Sequence, residues 1–119
     1  MNCKNILIVE DDSAVSTMMK DVLELHGYNV ITAADGAEGI QRLEEIVPEP
    51  CVIILDLMMP HTNGWEFLDM QRSHAKLSGV PVVICSAYSE SAKSIRPHAF
   101  VPKPVEYKAL LGAVQAFCA

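Results

Sequence analysis

Long apolar runs are missing from this sequence. The longest, CVIIL at 51–55 and VPVVIC at 80–85, are strand-sized and far short of the roughly 20 residues that cross a bilayer. Met1 leads into a polar stretch and then an apolar strand, without the n- and h-regions of a signal peptide. A cytoplasmic chain with no membrane insertion is therefore expected. Basic residues are scarce: nine Lys and Arg against fifteen Asp and Glu leave a net charge of −6, which argues against a nucleic-acid surface. Cysteine lacks pattern. Cys3, Cys51, Cys85 and Cys118 include no CxxC pair and no histidine at zinc-ligand spacing, so buried or semi-buried free thiols in a reducing compartment are expected. Repeats, low-complexity tracts and linkers are absent as well. At 119 residues the expectation is a single compact domain over 1–119.

What is present alternates. NILIV at 5–9 is an acid-bounded apolar run that suits a strand buried on both faces. Ser13 can cap a helix carrying Val15, Met18, Met19, Val22 and Leu25, and Gly27 closes it. A second strand over 28–33 and a second helix over 37–47 follow, the latter stopped by Pro48 and Pro50. The third strand is 51–55 and the third helix runs from Gly64 to about His74, with Trp65, Leu68 and Phe67 as inward candidates. The fourth strand is 80–85. A polar stretch ends at Pro97, 99–101 is a brief fifth strand, and Pro104 sits where a last helix can start. Strands alternating with helices imply a parallel sheet covered on both faces, with ligands bound beyond the carboxyl ends of its strands.

Those ends carry the chemistry. Strand one ends in Glu10-Asp11-Asp12, strand three in Asp56, strand four in Ser86 and strand five in Lys103-Pro104. Carboxylates gathered at one edge repel unless a cation joins them. A hard divalent ion, Mg²⁺, suits such a set together with phosphate oxygens. An aspartate can attack phosphorus and form an aspartyl phosphate, while a lysine and a hydroxyl neutralise and orient the transferred group. Asp56 is centrally placed for that attack. Asp12 reads as a solvated loop acid, and His26, His61, His74 and His98 as surface residues, not phosphorelay histidines.

The four pieces ILIVEDD (6–12), DLMMPHTNG (56–64), Ser86-Ala87 and Lys103-Pro104, in that order and each following an expected strand, resemble response-regulator receiver domains. The resemblance implies an α/β, flavodoxin-like, doubly wound five-stranded parallel sheet of order 2-1-3-4-5. Members of that family exemplify this order, so it is implied by likeness and is not a result of spacing. The resemblance also implies a two-component phosphorelay role without a classical enzymatic activity: Asp56 as phosphoacceptor, a histidine kinase or histidine phosphotransfer protein as donor, and Mg²⁺ held by Glu10, Asp11, Asp56 and the backbone carbonyl of Met58. Ser86 and Phe100 fall at switch positions, Lys103 at the phosphate-binding lysine, and Pro104 after a cis bond.

The chain departs from the pattern at one place. Only 13 residues separate Ser86 from Phe100, near the minimum for a parallel crossover. The fourth helix is therefore expected to be short or irregular within 88–95. No effector domain is legible, so the output partner is unknown. Two other readings stay open: a pseudo-receiver that binds without phosphorylation, and an aspartate-nucleophile phosphohydrolase. The latter wants a second acid two residues past the nucleophile, where Met58 stands.

Overall fold

Five short apolar segments become the strands β1 (Asn5–Val9), β2 (Asn29–Ala33), β3 (Val52–Leu55), β4 (Val82–Ser86) and β5 (Ala99–Pro102) of the computed structural model. The structure describes residues 4–57, 64–74, 77–86 and 99–118. Among them are four helices, α1 (Ser13–Leu25), α2 (Gly36–Glu45), α3 (Gly64–Ser73) and α4 (Tyr107–Gln115). The segment expected to hold a shortened helix between β4 and β5 lies outside the described residues, and so α4 here is the helix that follows β5. All four strand pairings are parallel, in the order β2-β1-β3-β4-β5, as the resemblance implies. No helix among the described residues is long and apolar enough to cross a membrane.

The two-residue period of the strands sorts the core into two layers. Ile6 and Ile8 of β1, Val52 and Ile54 of β3, and Val83 and Cys85 of β4 face Met19 and Leu23 of α1 and Leu110, Leu111 and Val114 of α4. Leu7, Val9, Ile53, Leu55 and Ile84 point the other way, toward Leu43 of α2 and Phe67 and Leu68 of α3. β1 and β3 are apolar at nearly every position because both their faces are covered. Of the aromatic candidates on α3, Phe67 is the fully buried one, while Trp65 packs partly buried at the edge.

Several boundaries differ from the sequence reading for local reasons. Asp12 is the N-cap of α1, its Oδ1 accepting from the amides of Ala14 (2.9 Å) and Val15 (3.3 Å). It is thus no mere solvated acid, and Ser13 is the first helical residue instead of the cap. A carboxylate there satisfies two orphan donors and sits at the favourable end of the helix dipole. Gly27, at φ +89°, supplies the left-handed turn that releases the chain into β2. β4 begins at Val82, after Pro81, which has no N–H to give a ladder; the Pro81 carbonyl still accepts from the Ile53 amide at 2.9 Å. Pro104 does not open α4, which starts at Tyr107.

The cysteine expectation is corrected for one pair. Cys51, just before β3, and Cys118, just after α4, form a disulfide with a Cα–Cα distance of 5.5 Å. α4 returns the chain to the sheet edge where β3 begins, a juxtaposition that a sequence separation of 67 does not reveal. Cys85 is a buried free thiol, and burial pushes its pKa up to about 12, so it stays protonated and inert. Cys3 lies outside the described residues.

Candidate functional site

Parallel pairing brings the carboxyl ends of β1, β3 and β4 into line, with Val9 in register with Leu55 and Leu55 with Ile84. The residue after each strand is therefore delivered to one edge. Glu10 is anchored by its amide to the Ala33 carbonyl (3.0 Å), and Asp56 by its amide to the Val9 carbonyl (3.0 Å), so the ladders continue one residue past the strands. Glu10 and Asp56 are 3% and 5% exposed, whereas Asp11 is open to solvent. Each of the three offers a carboxylate oxygen, and these oxygens all lie within 4.8 Å of one another.

Lys103 enters from the connection between β5 and α4. Its Nζ is 2.6 Å from Glu10 Oε1 and 3.3 Å from Asp56 Oδ2. Burial would pull the ammonium's pKa down, but the Glu10 and Asp56 carboxylates outweigh it and the net shift is upward. Glu10 moves the other way from an ordinary ion-paired acid. Its burial dominates, and with the neighbouring Asp56 overrides the opposing Lys103, raising its pKa to about 7. Three carboxylates against one ammonium leave the edge with spare negative charge and all-oxygen donors, the set that suits a hard divalent cation. The donor chemistry thus fits Mg²⁺.

The other expected positions divide. The backbone of Ser86 ends β4 in register with Pro102, while its side chain is outside the described residues. Phe100 lies in β5, opposite Ile84, partly buried against the α2–α3 layer. The Lys103–Pro104 peptide bond is cis. Met58 is outside the described residues. Of the histidines, His26 is exposed and places Nδ1 3.0 Å from the Val22 carbonyl, and none of the described ones joins the acidic edge.

Two positions that hold the site carried no role in the sequence reading. Gly64 donates its amide to the Leu57 carbonyl at 2.9 Å. A Cβ there would stand 2.6 Å from Leu57 Cα and 2.8 Å from the Asp56 carbonyl oxygen; the start of α3 presses directly on the backbone that presents Asp56. Its place in the DLMMPHTNG piece was the available signal. Gln71, 2% exposed, donates through Nε2 to the carbonyls of Leu77 (2.6 Å) and Val80 (3.3 Å), fixing the lead into β4. A glutamine on a helix gives no comparable signal.

The chain matches the response regulator receiver domain family over residues 6–115. It is 30% identical over 118 residues to the phosphate regulon transcriptional regulatory protein PhoB of Klebsiella pneumoniae, covering 95% of this chain and 51% of that protein. It is 33% identical over 116 residues to the transcriptional regulatory protein CpxR homolog of Haemophilus influenzae, covering 93% and 48%. The chain thus spans about half the length of these curated relatives. Among solved structures, the chemotaxis protein CheY4 of Vibrio cholerae superposes with a TM-score of 0.86 at 26% identity, covering 97% of this chain and 98% of that one. The bacteriophytochrome response regulator RtBRR superposes with a TM-score of 0.83 at 32% identity, covering 97% and 78%. By sequence, by strand order and by the acidic edge that its strands build, this chain belongs to the response regulator receiver domain family of two-component systems.

Proposed function

We propose that Asp56 accepts a phosphoryl group from the phosphohistidine of a kinase or phosphotransfer protein and that the chain then switches its binding to an output partner. The observation that supports this most strongly is the placement of a buried carboxylate at the end of the central strand, 3.3 Å from a lysine and grouped with two further acids. A carboxylate oxygen of Asp56 attacks phosphorus, the P–N bond to the donor imidazole breaks, and an aspartyl phosphate remains. Lys103 follows the negative charge from the carboxylate to the phosphoryl oxygens. Ser86, at the end of the adjacent strand, donates its hydroxyl to one of those oxygens, and Phe100 reports the change along β5. Glu10, Asp11, Asp56 and the Met58 carbonyl would hold Mg²⁺, which when bound supplies neutralisation of the phosphoryl charge.

Residues 1–119 act in this role as one receiver domain working in the cytoplasm. Output is carried by a separate protein or by sequence outside this chain, and any phosphorylation and dephosphorylation the domain performs is on itself. The test is incubation with acetyl phosphate, with and without Mg²⁺, followed by a phosphate-affinity gel. The expected result is a single shifted band that needs Mg²⁺ and vanishes on brief acid or base treatment. No shift at any Mg²⁺ concentration would leave the chain as a phosphorylation-independent binding module.

A further inference from the structure

Strand β3 is gripped at both ends by the same stretch of chain. At its carboxyl end Asp56 pairs with Lys103 at 3.3 Å; at its amino end Cys51 is bonded to Cys118. Lys103 and Cys118 bracket α4, so the helix is tied to β3 once by charge and once by a covalent bond. We propose that Cys51 and Cys118 form a reversible thiol–disulfide exchange site, served by a low-molecular-weight thiol and its disulfide, whose oxidised state clamps α4 to β3 and limits the travel of Lys103 from Asp56.

Three features favour exchange over a purely structural staple. First, α4 does not need the bond to stay docked. Leu110 and Val114 are fully buried, the Cys118 amide donates to the Val114 carbonyl at 2.8 Å, and the Tyr28 hydroxyl donates to the Cys118 carbonyl at 3.1 Å. A chain of this length with two apolar layers sits above the size at which folding depends on disulfides. Second, the reduced state has a place prepared for it. Cys51 Sγ lies 3.3 Å from the Asn5 carbonyl oxygen; a disulfide sulfur has no proton to donate there, but a thiol does. Third, access is unequal. Cys118 is 2% exposed while Cys51 is half-buried, which directs attack to one sulfur.

The exchange balances. A thiolate attacks Cys51 Sγ, the S–S bond breaks, and its electron pair leaves on Cys118 Sγ, which takes a proton from water. A second thiolate attacks the outer sulfur of the mixed disulfide and releases Cys51, which is protonated in turn. One protein disulfide and two external thiols become two protein thiols and one external disulfide. Oxidation is the reverse, with the external disulfide as oxidant.

The consequence for Asp56 rests on the phosphoacceptor reading, and the test separates the two. The protein is equilibrated over a series of reduced-to-oxidised glutathione ratios, quenched by alkylation and mapped by mass. The proposal expects one two-electron transition of the Cys51–Cys118 pair with native circular dichroism on both sides. A pair that stays oxidised at every ratio, or never oxidises, overturns it. Hydrogen exchange of the amides at 107–115 is then compared in oxidised protein, reduced protein, Cys51→Ser and Cys118→Ser. Exchange about tenfold faster in the last three is expected, and equal protection in all four overturns the clamp. Finally, labelling by acetyl phosphate is followed in both redox states. A rate at least about threefold higher when reduced is expected from the freed lysine, and equal rates overturn the coupling. Absence of labelling in both states is instead a failure of the phosphoacceptor reading, and the exchange and protection results decide the redox site without it.

Discussion

Lys103 Nζ stands 3.3 Å from Asp56 Oδ2, and this pair reaches across β4 to join the ends of two strands, β3 and β5, that are not neighbours in the sheet. The same ammonium holds Glu10 at 2.6 Å, so one cation ties together three strand ends.

Removing that cation leaves two buried carboxylates facing each other. Lys103→Ala should therefore lower stability by about 1–3 kcal/mol at pH 7.5, less than breaking a fully desolvated pair because Glu10 can take up a proton. Urea denaturation at pH 7.5 and pH 5.5 measures it. The loss should shrink at the lower pH, and an equal loss at both would contradict the assigned pairing.

Glu10 itself sets a pH dependence in the metal-free protein. Its folded pKa, raised mainly by burial from 4.5 to about 7, means that the folded state binds more protons than the unfolded state between those values. Stability from this group is full below about 4.5 and declines as pH rises through about 7. Glu10→Gln should flatten that decline. Lys103, whose pKa is raised, acts in a separate window and loses its contribution only above its ordinary value of 10.5. Denaturation midpoints of parent and variant from pH 4.5 to 8 decide the matter, and parallel curves would count against a raised Glu10.

Gly64 is the steric support of the backbone that presents Asp56. In Gly64→Ala the new Cβ would stand 2.6 Å from Leu57 Cα, so either α3 or the Asp56 backbone must move. A destabilisation of about 1–3 kcal/mol with slowed phosphoryl capture is expected. Wild-type stability and labelling in this variant would show that the close approach relaxes without consequence.

The parallel α/β class was legible because β1 and β3 are apolar at nearly every position and their following acids mark the strand ends, whereas the strand order came from the family resemblance. The gathering of Glu10, Asp56 and Lys103 was legible for the same reason: they lie far apart in sequence, and a parallel sheet brings their carboxyl-end positions together. What escaped has a different character. The Asp12 cap was hidden by the equally plausible Ser13 beside it. The Cys51–Cys118 bond depends on where α4 returns to the sheet, which neither residue's local sequence encodes. The closeness of Gly64 to Leu57 is a backbone approach, and an absent side chain leaves no periodic signal.

Asp11 is the exposed member of the acidic set, and its carboxylate is the one whose removal least disturbs the core. Asp11→Ala should lose labelling by acetyl phosphate at ordinary Mg²⁺ while gaining up to about 1 kcal/mol of stability in metal-free buffer, where carboxylate repulsion is relieved. Thermal melts with and without Mg²⁺ give the second readout: the parent should be stabilised by the ion and the variant should not. A variant that labels at the parental rate would remove Asp11 from the proposed metal site.

The central claim is that Asp56 carries the phosphoryl group, and chemical trapping tests it most directly. Protein labelled by acetyl phosphate in Mg²⁺ is reduced with borohydride, which converts an aspartyl phosphate to homoserine, and the peptides are sequenced by mass. The account predicts homoserine at position 56 in the parent and no trapped residue in Asp56→Asn. Homoserine at another acid, or undiminished acid-labile labelling of Asp56→Asn, would contradict it.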